Sequence, residues 1–480
     1  MIFPEISGGA KRIIIMNQFA GYHSEWNLGS PGGWDYQRIV QEVGKAVWMT
    51  HFQSRLTDIH LDFDHPLLHP VNGFVNMLKE ACCLREGTNT GFIAVVAEEE
   101  TLKDVVENRN LVAHLNTIDG MSSALMAPHE LEQVNDRVCW RGHPVSIIFM
   151  DFNTNILLDL HRKHNLYPLL QAVKETRVIN PRGTEPINAK SMFEVITDPK
   201  NIGCFHEETI KRTPWTRQFY PRQTQGPDGE HIPDLVEWTR SNWDNLVLKP
   251  ERGYSGKGVY VGGINQDIDA IIRHTLIRGD YGDYIVQEKV PLNLWTENIP
   301  ELDLDNHTVR EVQQQTDFRC FIGPDGLFGF VGRYGGIPTN VGSGGGMQPL
   351  AVLHSEIGVG ETTERINQVI LSMDYSDMIE AVELQQKMAL DRQFTYLLGP
   401  IKIALRPRLI TPSQVEALNV YCTDIWSDCL ILEKMWLSGD LGVIVNIEPE
   451  ELEIIRSQPW MGSRAIFASD GLFSFGAHVE

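Results

Sequence analysis

Between Leu246 and Gly335 the chain carries five short apolar runs punctuated by glycine-rich turns. They are LVLKP (246–250), GVYVGG (258–263), YIVQEKV (284–290), DFRCFIG (317–323) and LFGFVGRYG (327–335). Only one helix-like stretch, Asp267 to Arg278, lies among them. Runs of this length, with so little helix between them, predict an antiparallel α+β unit rather than a doubly wound sheet.

The preceding segment has a different texture. GFIAVVA (91–97) and VSIIFMDF (145–152) predict strands, and Glu98 to His114 predicts the helix between them. A helical Asn155 to Glu175, a strand RVINP (177–181) and a helix near Ala189 to Ile196 continue an α/β layer. Upstream, a Gly-, Trp- and Asn-rich loop (Asn17 to Asp35) precedes an amphipathic stretch from Tyr36 to Met49. A Thr-, Pro- and Arg-rich connector runs from Lys211 to Pro233. From Glu361 to Trp436 the pattern is helical, and the last forty residues, including LGVIVNI, return to strands. The chain divides into four regions: 1–90, 91–210, 211–350 and 351–480.

Lys and Arg number 41 against 63 Asp and Glu, a net charge of −22, which argues against a general nucleic-acid or anionic-membrane binder. No apolar run approaches the ~18 residues of a membrane span. Seven cysteines without metal-ligand spacing fit buried thiols in a reducing cytoplasm. His60, Asp62, Asp64, His65 and His69 match no metal-site spacing.

Three segments carry chemistry. In LVLKPERGYSGKGVYVGG, Gly253, Gly256 and Gly258 surround Lys257 between two strands. Glycines free the backbone to turn N–H groups toward one anion, and Lys257 adds a point charge. The spacing is neither a Walker A loop nor a dinucleotide fingerprint, since no helix follows. A plain hairpin loop would use the same glycines. Lys249 tips the balance: inside an apolar strand it must snorkel or pair with an anion. In YIVQEKV, Gln287 and Glu288 interrupt an apolar strand before Pro291, either as an ordinary edge strand or as a strand end that reads an adenine edge.

In the third segment Asp317, Arg319 and Phe321 alternate onto one sheet face. A three-residue loop at Pro324-Asp325-Gly326 would pair Gly323 with Leu327 and set Arg333 opposite Asp317, whereas a two-residue Asp-Gly loop would send Arg333 to the other face. Asn340 leads into Gly342, Gly344, Gly345 and Gly346. The set offers oxygen ligands for Mg²⁺ (Asp317, Asn340) and two guanidinium forks, or else an ion-pair network on a sheet.

Taken in order, these segments, with INPRGTEPINAKSM (179–192) and KRTPWTRQF (211–219), resemble the ATP-grasp superfamily, in particular its circularly permuted, glutathionylspermidine-synthase-like branch. The resemblance runs from Gly91 to Met347. It implies an ATP-grasp fold, antiparallel sheets gripping ATP behind an α/β layer (91–210), with 211–350 as the catalytic region, 1–90 on the substrate side and a helical then β extension beyond. It implies ligation of a carboxylate to an amine through an acyl phosphate, with ATP and Mg²⁺ as cofactors and an amino acid, peptide or polyamine among candidate substrates. By position, Lys249 resembles the lysine that contacts the α- and β-phosphates, and Gly253 to Gly258 with Lys257 the lid over the triphosphate. Gln287, Glu288 and Val290 resemble the adenine hinge, Glu297 a ribose ligand, and Lys211 an additional phosphate lysine. Asp317 and Asn340 fall on metal positions, and Arg319 and Arg333 on positions that steady the γ-phosphate and acyl phosphate. The family places a carboxylate two residues before that Asn; here it is Pro338, so one ligand is missing or comes from elsewhere. A kinase of the same superfamily and a nucleotide binder without turnover are the alternative readings.

Overall fold

The computed structural model describes residues 21–253, 256–264, 267–277, 283–291, 296–336, 339, 341, 344–354, 358–394, 397–399 and 402–471. Strand β1 (Glu25–Asn27) is followed by helices α1 (Trp34–Val47) and α2 (Pro70–Glu86). Helix α1 buries Ile39, Val40, Val43 and Val47, the spacing of one helical face. The α/β layer comprises β2 (Gly91–Val96), α3 (Val106–Leu115), β3 (Met121–Met126), β4 (Ile147–Met150), α4 (Thr154–Lys163), α5 (Tyr167–Lys174) and β5 (Val178–Ile179). Its four strands are parallel in the order β3-β2-β4-β5; the alternation of strand and helix predicts a parallel layer, but β3 was not among the expected strands, its two serines hiding a short apolar run. Two boundaries differ. The acidic stretch after Ala97 forms a short 3₁₀ turn before α3 begins, and the helix expected over 155–175 breaks at His164, because Pro168 cannot continue one hydrogen-bond ladder and instead starts the next.

A small antiparallel sheet follows, built from β6 (Thr216–Gln218), β7 (Leu246–Pro250), β8 (Tyr260–Val261) and β9 (Tyr284–Glu288) in the order β6-β9-β7-β8, with α6 (Ile268–Thr275) beside it. Leu246, Leu248 and Val286 pack with Trp215, Phe219, Trp243 and Ile272 into its core. The large sheet contains β10 (Thr296–Asp303), β11 (Thr308–Gly323), β12 (Gly326–Gly335) and β13 (Gly346–Met347). After β14 (Leu350–Leu353) come α7 (Val359–Leu371), α8 (Tyr375–Asp391), β15 (Arg408–Ile410), α9 (Pro412–Ser438), α10 (Pro449–Ser457) and β16 (Phe467–Asp470). Both ends of the described chain join the large sheet, whose order is β1-β16-β11-β12-β13, with β10 also on β11.

Period-two alternation gives β11 two cores. Phe318, Cys320 and Ile322 pack with Leu418, Tyr421, Ile425 and Cys429 of α9, while Phe321 and Val331 join Trp34, Val43 and Phe74 of α1 and α2. Helix α9 is framed by a Thr411–Gln414 capping box and a left-handed Gly439.

Two strand expectations need correction. Strand β10 and the first half of β11 were not foreseen, because their residues are polar and Pro300 lies within β10. An edge strand tolerates that proline, and β10 pairs only with β11. LGVIVNI is not a strand: side chains satisfy its backbone instead of a ladder, with Ile444 O accepting from Gln218 Nε2 and Asn446 N–H donating to Glu251. Residues 472–480 of the tail lie outside the described residues.

Candidate functional site

Because Leu246 and Leu248 enter the small-sheet core, Lys249 in β7 turns to the opposite face, where Gln287 of β9 also lies. Lys249 Nζ donates to Gln287 Oε1 at 2.7 Å and to Ser24 O at 3.3 Å. Gln287 Nε2 donates in turn to Thr216 Oγ1 at 3.0 Å. Burial drives the Lys249 ammonium down to about 8; the Glu25 carboxylate opposes this and Lys190 adds to it.

Glu25 sits between the two sheets. Its Oε2 lies 3.1 Å from Lys190 Nζ, which also donates to Gly253 O at 2.6 Å. The Lys190 N–H bonds Glu251 O at 3.0 Å, so the end of INPRGTEPINAKSM is stitched to the start of the glycine loop. Burial would raise the Glu25 carboxyl, but the charges of Lys190, Lys249 and Arg333 bring it down to about 2.

The large sheet supplies the other wall. Arg333 forks onto Asp317, Nε to Oδ1 at 2.7 Å and Nη2 to Oδ2 at 3.0 Å, and Thr339 Oγ1 donates to the same Oδ2 at 2.5 Å. Arg319 forks onto Asp470 of β16, Nη2 to Oδ2 at 2.7 Å, and its Nη1 bonds Gly32 O. Burial works against the Arg333 charge, yet Asp317, Asp470 and Glu25 together raise its pKa further.

The Asp317–Arg333 register arises by a route not anticipated from sequence. The hairpin loop is Pro324-Asp325, with Gly323 opposite Gly326, and a bulge then places Phe321 opposite Gly329 and Ile322 opposite Leu327. The extra residue, Phe328, restores the pairing of Asp317 with Arg333.

Neither a family model nor a curated protein sequence matches this chain. Among solved structures, an ATP-grasp RimK domain protein from Sphaerobacter thermophilus aligns at a TM-score of 0.27 and 16% identity, over 55% of this chain and 86% of that one. A protein from Methylobacillus flagellatus, assigned as a gamma-glutamylcysteine synthetase, aligns at a TM-score of 0.29 and 10% identity, over 79% and 99%. Likenesses this slight assign neither fold nor activity.

The remaining expected site residues separate into three groups. Gly256 and Gly258 have left-handed φ of +70° and +72°, the conformation for which glycine was expected there, and Lys257 is exposed on the turn they make. Glu288 uses its N–H on Trp215 O at 2.9 Å, and Val290 lies just past the end of β9 with no hydrogen bond among the described residues. Asn340 and Pro338 lie outside the described residues.

Lys211 and Glu297 are corrections. The Lys211 side chain is 65% exposed and pairs with Glu208, because the helix Glu207–Arg212 turns its neighbour Arg212 inward instead. Glu297 is buried, with Oε2 on Arg406 at 2.5 Å and Oε1 accepting from Thr316 Oγ1 at 3.3 Å, so a ribose would have to displace a buried ion pair. Lys190, Glu25 and Asp470 were missed. Lys190 carried a readable signal, a lysine amid the small and apolar residues of INAKSM.

A metal was also expected at Asp317. Both its oxygens are occupied, and among the described residues no three His, Cys, Asp or Glu side chains gather to hold an ion. His69 and His65 bond the local backbone and Asp64 pairs with Lys45. Asp317 would thus meet an ion through oxygens already engaged by Arg333 and Thr339, and Asn340, the second expected ligand, lies outside the described residues. The lysines suit an anion: Lys190 and Lys249 gather beside Glu25, and among the described residues this partly exposed carboxylate is the only charged partner within ion-pair distance of Lys190.

This geometry has a measurable consequence. Phosphate beside Lys249 favours its charged form, so its pKa rises on binding. Between about pH 8 and the ordinary lysine range, binding of ATP is expected to take up close to one proton. Calorimetry at pH 9 in two buffers of different ionisation enthalpy measures this, and no uptake there would remove phosphate from the neighbourhood of Lys249.

Proposed function

We propose that the chain is an ATP-dependent ligase that joins a carboxylate to an amine through an acyl phosphate. The observation that carries the reading is the gathering of Lys249 and Lys190, the latter bonded to Gly253 O, between two antiparallel sheets, with Arg319 and Arg333 on the facing wall. The order of the sequence motifs supports it independently. Phosphoryl transfer asks a protein for positioning and charge neutralisation more than for a covalent partner, and these residues supply both.

In this scheme Lys249 and Lys190 neutralise the nucleotide phosphates, and the Glu288 to Val290 strand end borders the base. A substrate carboxylate oxygen attacks the γ-phosphorus and ADP leaves with the bridging oxygen. The amine then attacks the acyl carbon, inorganic phosphate departs, and the amine loses a proton to solvent. Arg319 and Arg333, held in place by their forks to Asp470 and Asp317, turn N–H groups not used in those forks toward the transferring group. Magnesium, when bound with ATP, would neutralise phosphate charge, and no protein ligand is assigned to it.

The second reading is a nucleotide binder without turnover, favoured by the engagement of Asp317 with Arg333 and Thr339. An ADP-release screen of acids and amines, singly and in pairs, separates the two. The ligase reading expects release only when both are present. Release with an acid or alcohol alone would indicate a kinase, and none with any pair would leave the binder.

A further inference from the structure

Beside the two lysines stands a partly exposed carboxylate with no part in phosphate binding. Glu25 lies on β1, where it pairs in register with Asp470 of β16, and its side chain is 34% exposed. Its Oε2 is 3.1 Å from Lys190 Nζ, and the preceding residue gives its carbonyl to Lys249. The other partners of both lysines are neutral: Gly253 O for Lys190, and Gln287 Oε1 and Ser24 O for Lys249. Arg333, by contrast, has its own fork to Asp317. Glu25 thus pairs directly with Lys190 and acts on Lys249 through its charge, while its neighbour Ser24 supplies the carbonyl that Lys249 holds.

We propose that Glu25 is a built-in anion that holds the phosphate-binding lysines when no nucleotide is present and is displaced when a polyphosphate arrives. This deepens the ligase reading and rests on it. A triphosphate carries more charge and more acceptor oxygens than one carboxylate, so it wins the lysines once it is close. Glu25 also deters weaker anions, because each must compete with a carboxylate already in place.

The test measures binding of inorganic tripolyphosphate without metal, and of ATP with and without magnesium, to the full chain and to Glu25→Gln. Removal of one competing charged partner is expected to tighten tripolyphosphate binding about tenfold or more. Equal or weaker binding by the variant overturns the proposal. So does a loss of affinity seen only with magnesium, which would make Glu25 a metal ligand. If the wild-type chain binds neither tripolyphosphate nor ATP, the phosphate site itself falls, which is distinguishable from a failure of Glu25 alone. Should Glu25→Gln not fold, Glu25→Asp keeps the charge but withdraws it by one methylene, and is expected to tighten binding by a smaller factor; unchanged or weaker binding there overturns the proposal equally. Hydrogen exchange on the wild-type chain gives a variant-free check. On tripolyphosphate binding the peptide carrying Ser24 to Trp26 is expected to exchange faster while 246–261 exchanges more slowly, and slowing in both would contradict displacement.

Discussion

Lys249→Met is expected to weaken ATP binding ten- to hundredfold while leaving the fold as stable as before, or more so, at neutral pH. The loss corresponds to one charge-assisted hydrogen bond of ~1.5–3 kcal/mol between Nζ and a phosphate oxygen. The stability result follows from the sign of the pKa shift. The folded value of about 8 lies below the ordinary 10.5, so at neutral pH the chain carries an ammonium that burial disfavours. That penalty is complete below about pH 8 and declines as pH rises toward the ordinary value. A methionine fills the same space without it, although Gln287 Oε1 loses its donor. Titration calorimetry reads the affinity and urea unfolding the stability. A purely structural lysine would show the reverse, lost stability with unchanged affinity.

The second large effect is on the fold. Asp317→Asn is expected to destabilise the protein by about 3 kcal/mol, since it leaves the Arg333 guanidinium, only 12% exposed, without its forked counter-ion. The urea midpoint should fall, and ATP affinity should change by the same factor with and without magnesium. Had Asp317 been a metal ligand, its loss would remove the magnesium dependence and spare stability. That outcome would restore the expectation which the hydrogen bonding of Asp317 argues against.

How much of this could be read from the sequence depended on whether the deciding interaction was local. Strand β7 was legible to the residue because an apolar run of five ends at a proline and a glycine loop. The Asp317, Arg319 and Phe321 face followed from period two alone. The Arg333 register could not be settled, because it turns on a bulge at Phe328 that no turn signal announces. Strand β10 was missed because its polar residues and Pro300 hide a pairing that depends only on β11. Glu25 and Asp470 were beyond reach for a different reason. They meet Lys190 and Arg319 across 165 and 151 residues of chain, and a single carboxylate in a loop or tail carries no mark of its distant partner. Lys211 misled because helix phase, which selects between it and Arg212, is fixed by packing against α9.

The central claim is that a nucleotide triphosphate is gripped where the 188–192 turn, the 246–261 hairpin and the 284–290 strand meet. Hydrogen exchange of the intact chain with and without ATP tests it most directly. The account expects slowed exchange in those three segments. It expects no change in the groove of about 890 Å³ lined by Leu131, Gln171, Lys174 and Ile454 on the α/β layer. Unchanged exchange across all three segments at saturating ATP, or protection confined to that groove, would contradict it.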